Sequence, residues 1–270
     1  MSTTRLLVAY DGTSFAGFQA QRGQRTVQGA LEDALAQIAQ HPVRTKAAGR
    51  TDAGVHALGQ VVTFEDDNLD AEVVMRAMPA LLSSDVAVLD AQSGPEGFES
   101  RRSATSRSYV YLLWCHEAAH PIYRKYSLWT RETLDVRTMR ESLRTIVGTH
   151  DFTSFGRVRP DQSPERTILA ATAVDDLPFV RISVVGQSFL HQMVRSIVGT
   201  AIEIGTGKRD VSFMRDALVS RDRAKAGQVA PPHGLTLVDV GYVGITWPRR
   251  VPVSWPWTDL MLPDAVRSIA

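Results

Sequence analysis

AGRTDAGVHALGQVVTF, residues 48–64, sets one charged triplet, Arg50-Thr51-Asp52, in a glycine-punctuated turn directly before a strand. Gly49 and Gly54 bracket the triplet, so the backbone there can take positive φ angles or close approaches that a larger residue would resist. Gln60-Val61-Val62-Thr63-Phe64 is β-branched and aromatic, which predicts a strand that holds the loop rigidly. An acid on a rigid loop suits catalysis. By pattern alone, an Asp beside Gly is more often a turn residue bonded to its own backbone, so the triplet leaves both readings open.

Outward from this stretch, the pattern is that of two similar halves. In the first, strand-like Leu6 to Ala9 precedes a helix with apolar residues at Val27, Leu31, Ala34, Leu35 and Ile38, a spacing of three and four. A helix over about 71–82 and a strand over 86–89 follow. The second half opens on a strand over 109–114 and continues with a helix whose apolar face is Val136, Met139, Leu143, Ile146 and Val147, stopped by Gly148. Strands over 167–174 and 179–185 come next. A helix then aligns Leu190, Met193, Val194, Ile197, Val198 and Ala201, and a strand over 235–240 closes the half. Strands and helices mix without strict alternation, which predicts an α+β fold of two α/β halves with mainly antiparallel sheets, helices packed on them and an active-site cleft between. The expected boundaries are 1–97, carrying the Asp52 loop, then 98–246, with Gln92 to Gly97 as the link. Residues 247–270, rich in Pro and Trp, read as an extended tail.

Composition narrows the class without naming it. The chain has 270 residues, 44% of them hydrophobic and 22% charged, ordinary for a globular protein with a sizeable core. One cysteine, Cys115, rules out an internal disulfide, and no apolar run approaches the ~20 residues of a membrane span. With no signal-peptide pattern at the start, the cytoplasm is the expected location. A net charge of +1 gives no overall support for a nucleic-acid partner, so any RNA surface must come from local clusters. Three candidates lie in or beside loop-like stretches: Arg22 with Arg25, then Arg101, Arg102 and Arg107, then Arg157, Arg159 and Arg166. Each could equally be a set of solvated surface arginines.

The stretch at 48–64 closely resembles the signature of the TruA family of tRNA pseudouridine synthases, whose GRTDAGVHA segment is retained whole. Tyr10-Asp11-Gly12-Thr13, Gly17-Phe18-Gln19 with Gln21, and Thr26-Val27-Gln28 with Leu31-Glu32 resemble the family's opening in order. Arg107-Ser108-Tyr109-Val110-Tyr111 is similar to its R-x-Y-x-Y segment, and Asp151-Phe152-Thr153-Ser154-Phe155 to its DFTSF. Phe189-Leu190-His191-Gln192-Met193-Val194-Arg195 with Ile197-Val198-Gly199 resembles its F-x-H-x-M-V-R-x-I-V-G. The resemblance covers roughly residues 5–245. Two places depart from it. Leu82-Ser83-Ser84-Asp85 stands where the family commonly has Leu-Pro before the Asp, and Phe98-Glu99-Ser100-Arg101-Arg102-Ser103-Ala104 stands for its F-H-A-R-F-S-A. The second region would face RNA in the family, so the change bears on which tRNAs and uridines are accepted.

The resemblance implies isomerisation of uridine to pseudouridine at positions 38, 39 and 40 of the tRNA anticodon arm. It implies Asp52 as nucleophile, Arg195 as the basic residue paired with it, Arg50 as the residue that helps displace the target base, and Tyr109 as the aromatic that contacts the uracil. It further implies a homodimer, a tRNA partner, and no metal or organic cofactor. Read as residues alone, Tyr109 and Tyr111 are alternate strand positions on one face, and the core reading suits Tyr111 better than Tyr109. Arg195 is a helix-edge charge and Arg50 could be a phosphate contact. His191 reads as a packed or RNA-contacting histidine one turn before Arg195.

Other motifs compete. His116-Glu117-Ala118-Ala119-His120 spells the zinc-protease HExxH, which needs both histidines on one helix; here a strand precedes it and Pro121 disfavours helix at His120. Val8-Ala9-Tyr10-Asp11-Gly12-Thr13 resembles the strand end of the haloacid dehalogenase phosphatases with Ala9 at the nucleophile position. Gly205-Thr206-Gly207-Lys208 lacks the first glycine and the Ser or Thr of a phosphate loop and reads as a helix C-terminal turn. The alternative from another class is a catalytically silent RNA-binding protein on the same scaffold.

Overall fold

The computed structural model of this chain describes residues 2–247, which fall into two compact units. In chain order the elements are β1 Thr3–Tyr10, α1 Val27–Ala39, β2 Thr45–Ala47, β3 His56–Glu65, α2 Ala71–Leu81, β4 Val86–Ser93 and β5 Ser106–Cys115. They continue as β6 Leu128–Thr130, α3 Val136–Arg144, β7 Gly148–Asp151, β8 Glu165–Asp176, β9 Phe179–Gly186, α4 Met193–Gly205, α5 Phe213–Ser220 and β10 Leu235–Gly241.

Of the described residues, the first unit holds those up to Thr105 and 236–247. Its strands run in the order β4, β1, β3, β10, with β1 antiparallel to both β3 and β4, and β10 parallel to β3 through Thr236 with His56 and Leu237 with Ala57. The short β2 pairs antiparallel with β3, Thr45 opposite Phe64. α1 begins where the Thr26 hydroxyl accepts from the Gly29 N–H at 3.2 Å, and α2 where the Asp70 carboxylate accepts from the Glu72 N–H at 2.7 Å. These caps satisfy amides that the first helical turn leaves without partners. Leu6, Val8, Leu31, Leu35, Val61, Val62, Val74 and Met78 form the buried core. Burial of one such side chain stabilises by roughly 1.5–3 kcal/mol relative to exposure.

The second unit, Ser106–Leu235, holds antiparallel strands in the order β5, β9, β8, β7, and β6 runs parallel to β5. α3 packs on β8 and on α4. Met139, Leu143, Ile182, Val184, Met193, Ile197 and Ala201 are buried there. The expected mixed α+β class with antiparallel sheets is what the chain adopts.

Several local expectations differ from the structure. β4 extends through Gln92 and Ser93, which pair with Arg5 and Thr4, and the first unit runs on to Thr105, so the stretch expected as a link is strand at its start. β10 pairs with β3 of the first unit, a long-range register that periodicity cannot carry. α3 ends at Arg144, leaving Ile146 and Val147 outside it. α4 starts at Met193 after a left-handed Gln192 (φ 62°), so Leu190 and His191 precede the helix. His191 therefore does not share a helix face with Arg195; it forms an isolated bridge with Arg157. β2, β6, β7 and α5 carry no strong pattern and were not expected. Of the expected tail, only Trp247 is described, its ring 5.0 Å from the Arg5 guanidinium; the rest lies outside the described residues.

Candidate active site

The Asp52 loop joins β2 to β3 and is held on three sides within the first unit. The Ala48 N–H donates to the Val61 carbonyl at 2.8 Å, and the Val55 N–H closes the turn onto the Asp52 carbonyl at 3.1 Å. From the side, the Phe18 N–H donates to the Thr51 carbonyl at 3.0 Å. Beneath, fully buried Gln60 grips the Gly49 peptide, its Nε2 donating to the Gly49 carbonyl at 2.7 Å and its Oε1 accepting from the Gly49 N–H at 3.4 Å. The Tyr10 hydroxyl lies 2.8 Å from the Thr51 hydroxyl, both buried. Burial pushes the Tyr10 phenol up to about 12, so it stays neutral and retains its proton for this bond.

Gly54 turns with φ +78°, as the bracketing glycines suggest, while Gly49 is held by Gln60 instead. A third glycine matters more. Gly17, at φ +99°, backs onto the loop so closely that a Cβ there would lie 3.0 Å from the Thr51 carbonyl oxygen and 3.3 Å from the Ala53 nitrogen. At the start of β3, buried His56 accepts from the Gly12 N–H at its Nδ1, 3.0 Å away, with an Asp11 carboxylate oxygen at 3.2 Å. On this seat Asp52 is half-buried and Arg50 exposed. A loop fixed at 48, 49, 51 and 55 can present a carboxylate with little freedom to wander.

Tyr109 and Arg195 belong to the second unit. Tyr109 on β5 is nearly buried and meets the Phe189 ring edge-on, 5.3 Å between centroids. Tyr111 is fully buried, and its hydroxyl donates to the Pro231 carbonyl at 3.0 Å, which marks it as the core tyrosine of the pair. Burial pushes the Tyr111 phenol up, and the Arg195 charge offsets part of that. Arg195, in the first turn of α4, donates from Nε to the Ala230 carbonyl at 2.8 Å, and the Ala230 N–H returns a bond to the Arg195 carbonyl at 3.0 Å. A strap at 230–231 thus orients both Arg195 and Tyr111. The structure places Arg50 with Asp52, and Tyr109 and Arg195 in the other unit.

A sequence model described as tRNA pseudouridine synthase matches residues 6–101 and 143–243. The chain belongs to the tRNA pseudouridine synthase family. Relatives of the same family include the tRNA pseudouridine synthase A of Afipia carboxidovorans, 43% identical over 90% of this chain and 100% of the relative. That of Geobacillus kaustophilus is 41% identical, covering 88% of this chain and 93% of the relative. That of an Exiguobacterium species is 38% identical, covering 90% and 98%. Among solved structures, a chain of "Crystal Structure of a Cbf5-Nop10-Gar1 Complex" is similar at a TM-score of 0.32 and 11% identity over 74% of this chain and 54% of that one, too slight to bear on the fold. Within the pseudouridine synthase match lie Arg50, Asp52 and Arg195, whereas Tyr109 falls between its two segments.

The arginine clusters of this synthase resolve unevenly. Arg22, Arg101, Arg102, Arg157 and Arg159 are exposed, but Arg107 is buried and donates to the Gln187 carbonyl, and buried Arg166 donates to the Ser163 carbonyl at 2.7 Å. Those two act inside the fold. Arg25 forks onto Asp85, both contacts 2.8 Å, reaches the Ser83 hydroxyl at 2.8 Å, and lies over the Phe15 ring at 4.0 Å. His116 sits on a bend and His120 in irregular chain, neither in a helix, and both pack against Trp114, with ring centroids at 5.5 and 5.3 Å. Among the described residues no group of three or more His, Cys, Asp or Glu is placed to hold a metal ion, and no helix is long and apolar enough to cross a membrane. Gly205 to Lys208 is the C-terminal turn of α4. The supporting parts played by Tyr10 and Gln60 are not evident from the sequence, although both lie inside family-like stretches, whereas Ser83 stands at a departure from them.

Proposed function

We propose that this chain isomerises uridine to pseudouridine at positions 38, 39 and 40 of the tRNA anticodon arm, with Asp52 as nucleophile, as a cytoplasmic homodimer that needs no metal or organic cofactor. The observation that carries the reading is the Asp52 loop itself, retained residue for residue as GRTDAGVHA and clamped at Gly49 and Thr51 from beneath.

The reaction asks for few parts. The bond from uracil N1 to the sugar C1′ breaks, the base turns, and C5 bonds to C1′ while the C5 proton leaves and N1 takes one up, so no water, electron or external group is consumed. An ionised Asp52 can serve by attacking C1′ as a retaining glycosidase does, by adding to C6, or by removing the C2′ proton to give a glycal. The target base must be unstacked at a cost of roughly a few kcal/mol. In this reading Arg50, exposed beside the loop, displaces the base, and Arg195 pairs with Asp52 to keep it charged and aimed. The flat face of Tyr109 holds the uracil as it turns and keeps water out. The same resemblance implies that one tRNA contacts both subunits of the dimer.

The test uses tRNA transcripts tritiated at uridine C5 under metal-free conditions. Tritium release by the parent and none by Asp52→Asn is the expected result. Release by neither would move the chain to the RNA-binding reading, in which tRNA is bound and left unmodified.

A further inference from the structure

We infer that Gln60 and Tyr10 are positioning residues for the proposed reaction: through Gly49 and Thr51 they set where Asp52 stands, and the inference rests on the reading of Asp52 as nucleophile. Three polar side chains, Tyr10, Thr51 and Gln60, are buried together under the loop, at 4%, 7% and 0% exposure. Burying an amide, a phenol and a hydroxyl costs free energy unless every group is bonded. Here each is bonded to the loop or to one another, since Gln60 Nε2 also lies 3.4 Å from the Tyr10 hydroxyl. An apolar filling of the same volume would serve the core as well. What the polar set adds is direction.

Gln60 pairs with both the carbonyl and the N–H of Gly49, in the manner of a neighbouring strand, and so extends the pairing of β3 to a stretch that has left the sheet. Its Oε1 also accepts from the Val61 N–H at 3.2 Å, which anchors the amide to its own strand. Tyr10 holds Thr51 from the end of β1. The two anchors straddle Arg50, and the second is adjacent to Asp52, whose Cα lies ~3.8 Å away across one peptide. A displacement of about 1 Å at a reacting group can cost on the order of a hundredfold in rate. Thr51 is tied on its other side by the Phe18 N–H, so loss of the hydroxyl bond frees the side chain of the residue and loosens its orientation without unfolding the turn.

The experiment compares the full chain with Tyr10→Phe, Thr51→Val, their combination, and Gln60→Met, by single-turnover tritium release at saturating enzyme, by tRNA Kd, and by Tm. Thr51→Val keeps the side-chain shape and carries the test if Gln60→Met does not fold. Expected is a fall of about tenfold or more in single-turnover rate for Tyr10→Phe and Thr51→Val at an unchanged Kd. The combined variant should be no slower than the worse single, because both remove the Tyr10–Thr51 bond and Tyr10→Phe alone also removes the longer contact to Gln60. Folded variants that turn over within twofold of the parent, or that lose only tRNA affinity, overturn the inference while leaving the role of Asp52 intact. A parent that releases no tritium overturns both.

Discussion

Glu99 and Arg102 form an ion pair, Oε2 to Nε at 3.3 Å, at two of the positions where the chain departs from its family's F-H-A-R-F-S-A segment. The two departures are therefore coupled. Glu99 also accepts from the Arg101 N–H at 3.2 Å. Between them the segment is tethered inward: Phe98 packs on Tyr242 at 5.1 Å, and fully buried Ser100, in place of Ala, donates to the Lys46 carbonyl at 2.7 Å. Backbone placement thus rests on Phe98 and Ser100 rather than on the pair of half-buried Glu99 with exposed Arg102.

Because the Arg102 side chain is 89% exposed, the pair should couple by no more than about 1 kcal/mol. A double-mutant cycle of Glu99→His and Arg102→Phe, read by urea denaturation, is expected to show a coupling of that size. Tritium release from a panel of tRNAs should change in its order of preference, while the best substrate stays active.

The Arg25 guanidinium, helped by Ser83, holds the Asp85 carboxyl at about 2 against an ordinary 3.8. A carboxylate with a lowered folded value adds stability that is complete above the unfolded value and is lost as pH falls through the folded one. The parent should therefore lose stability between pH ~4 and ~2, and Asp85→Asn should lose less over that window, the difference staying under about 1 kcal/mol for so exposed a pair. Tm measured from pH 5 to 2 for both proteins checks this.

Gly17→Ala puts a methyl group at 3.0 Å from the Thr51 carbonyl oxygen and imposes a side chain on φ +99°. The expected cost is roughly 1–3 kcal/mol in stability. Tritium release should fall further than Tm alone accounts for, since the displaced segment is the one that carries Asp52.

Gly199→Ala is expected to be severe. A Cβ there would stand 1.7 Å from the Gln228 carbonyl oxygen, a backbone atom that can yield only by moving the strap to Ala230. A loss of about 1–3 kcal/mol or more should appear in thermal denaturation. In protein that remains folded, turnover should drop with Arg195, which that strap orients.

Tyr109→Phe retains the ring that meets Phe189 and should keep much of the activity, whereas Arg195→Ala should cut turnover strongly. Single-turnover rates in the opposite order would remove both assignments.

An apolar spacing of three and four was enough to locate α1, and a β-branched and aromatic run to locate β3, because those elements draw their pattern from neighbours close in the chain. GRTDAGVHA was enough to raise Asp52 and Arg50 as candidates, since the charged triplet and the turn that carries it are consecutive. Other features depended on distant partners. β10 joins β3 across most of the chain, α4 begins two residues after His191 because Gln192 turns left-handed, and Arg107 and Arg166 point inward where a linear reading saw surface charge. Gln60 looks like any strand residue until the strand sits beneath Gly49. Local preference and chemical identity are properties of short stretches and can be read from the amino-acid order; burial, register and the partner of a polar side chain arise only when separated segments compete for the same space.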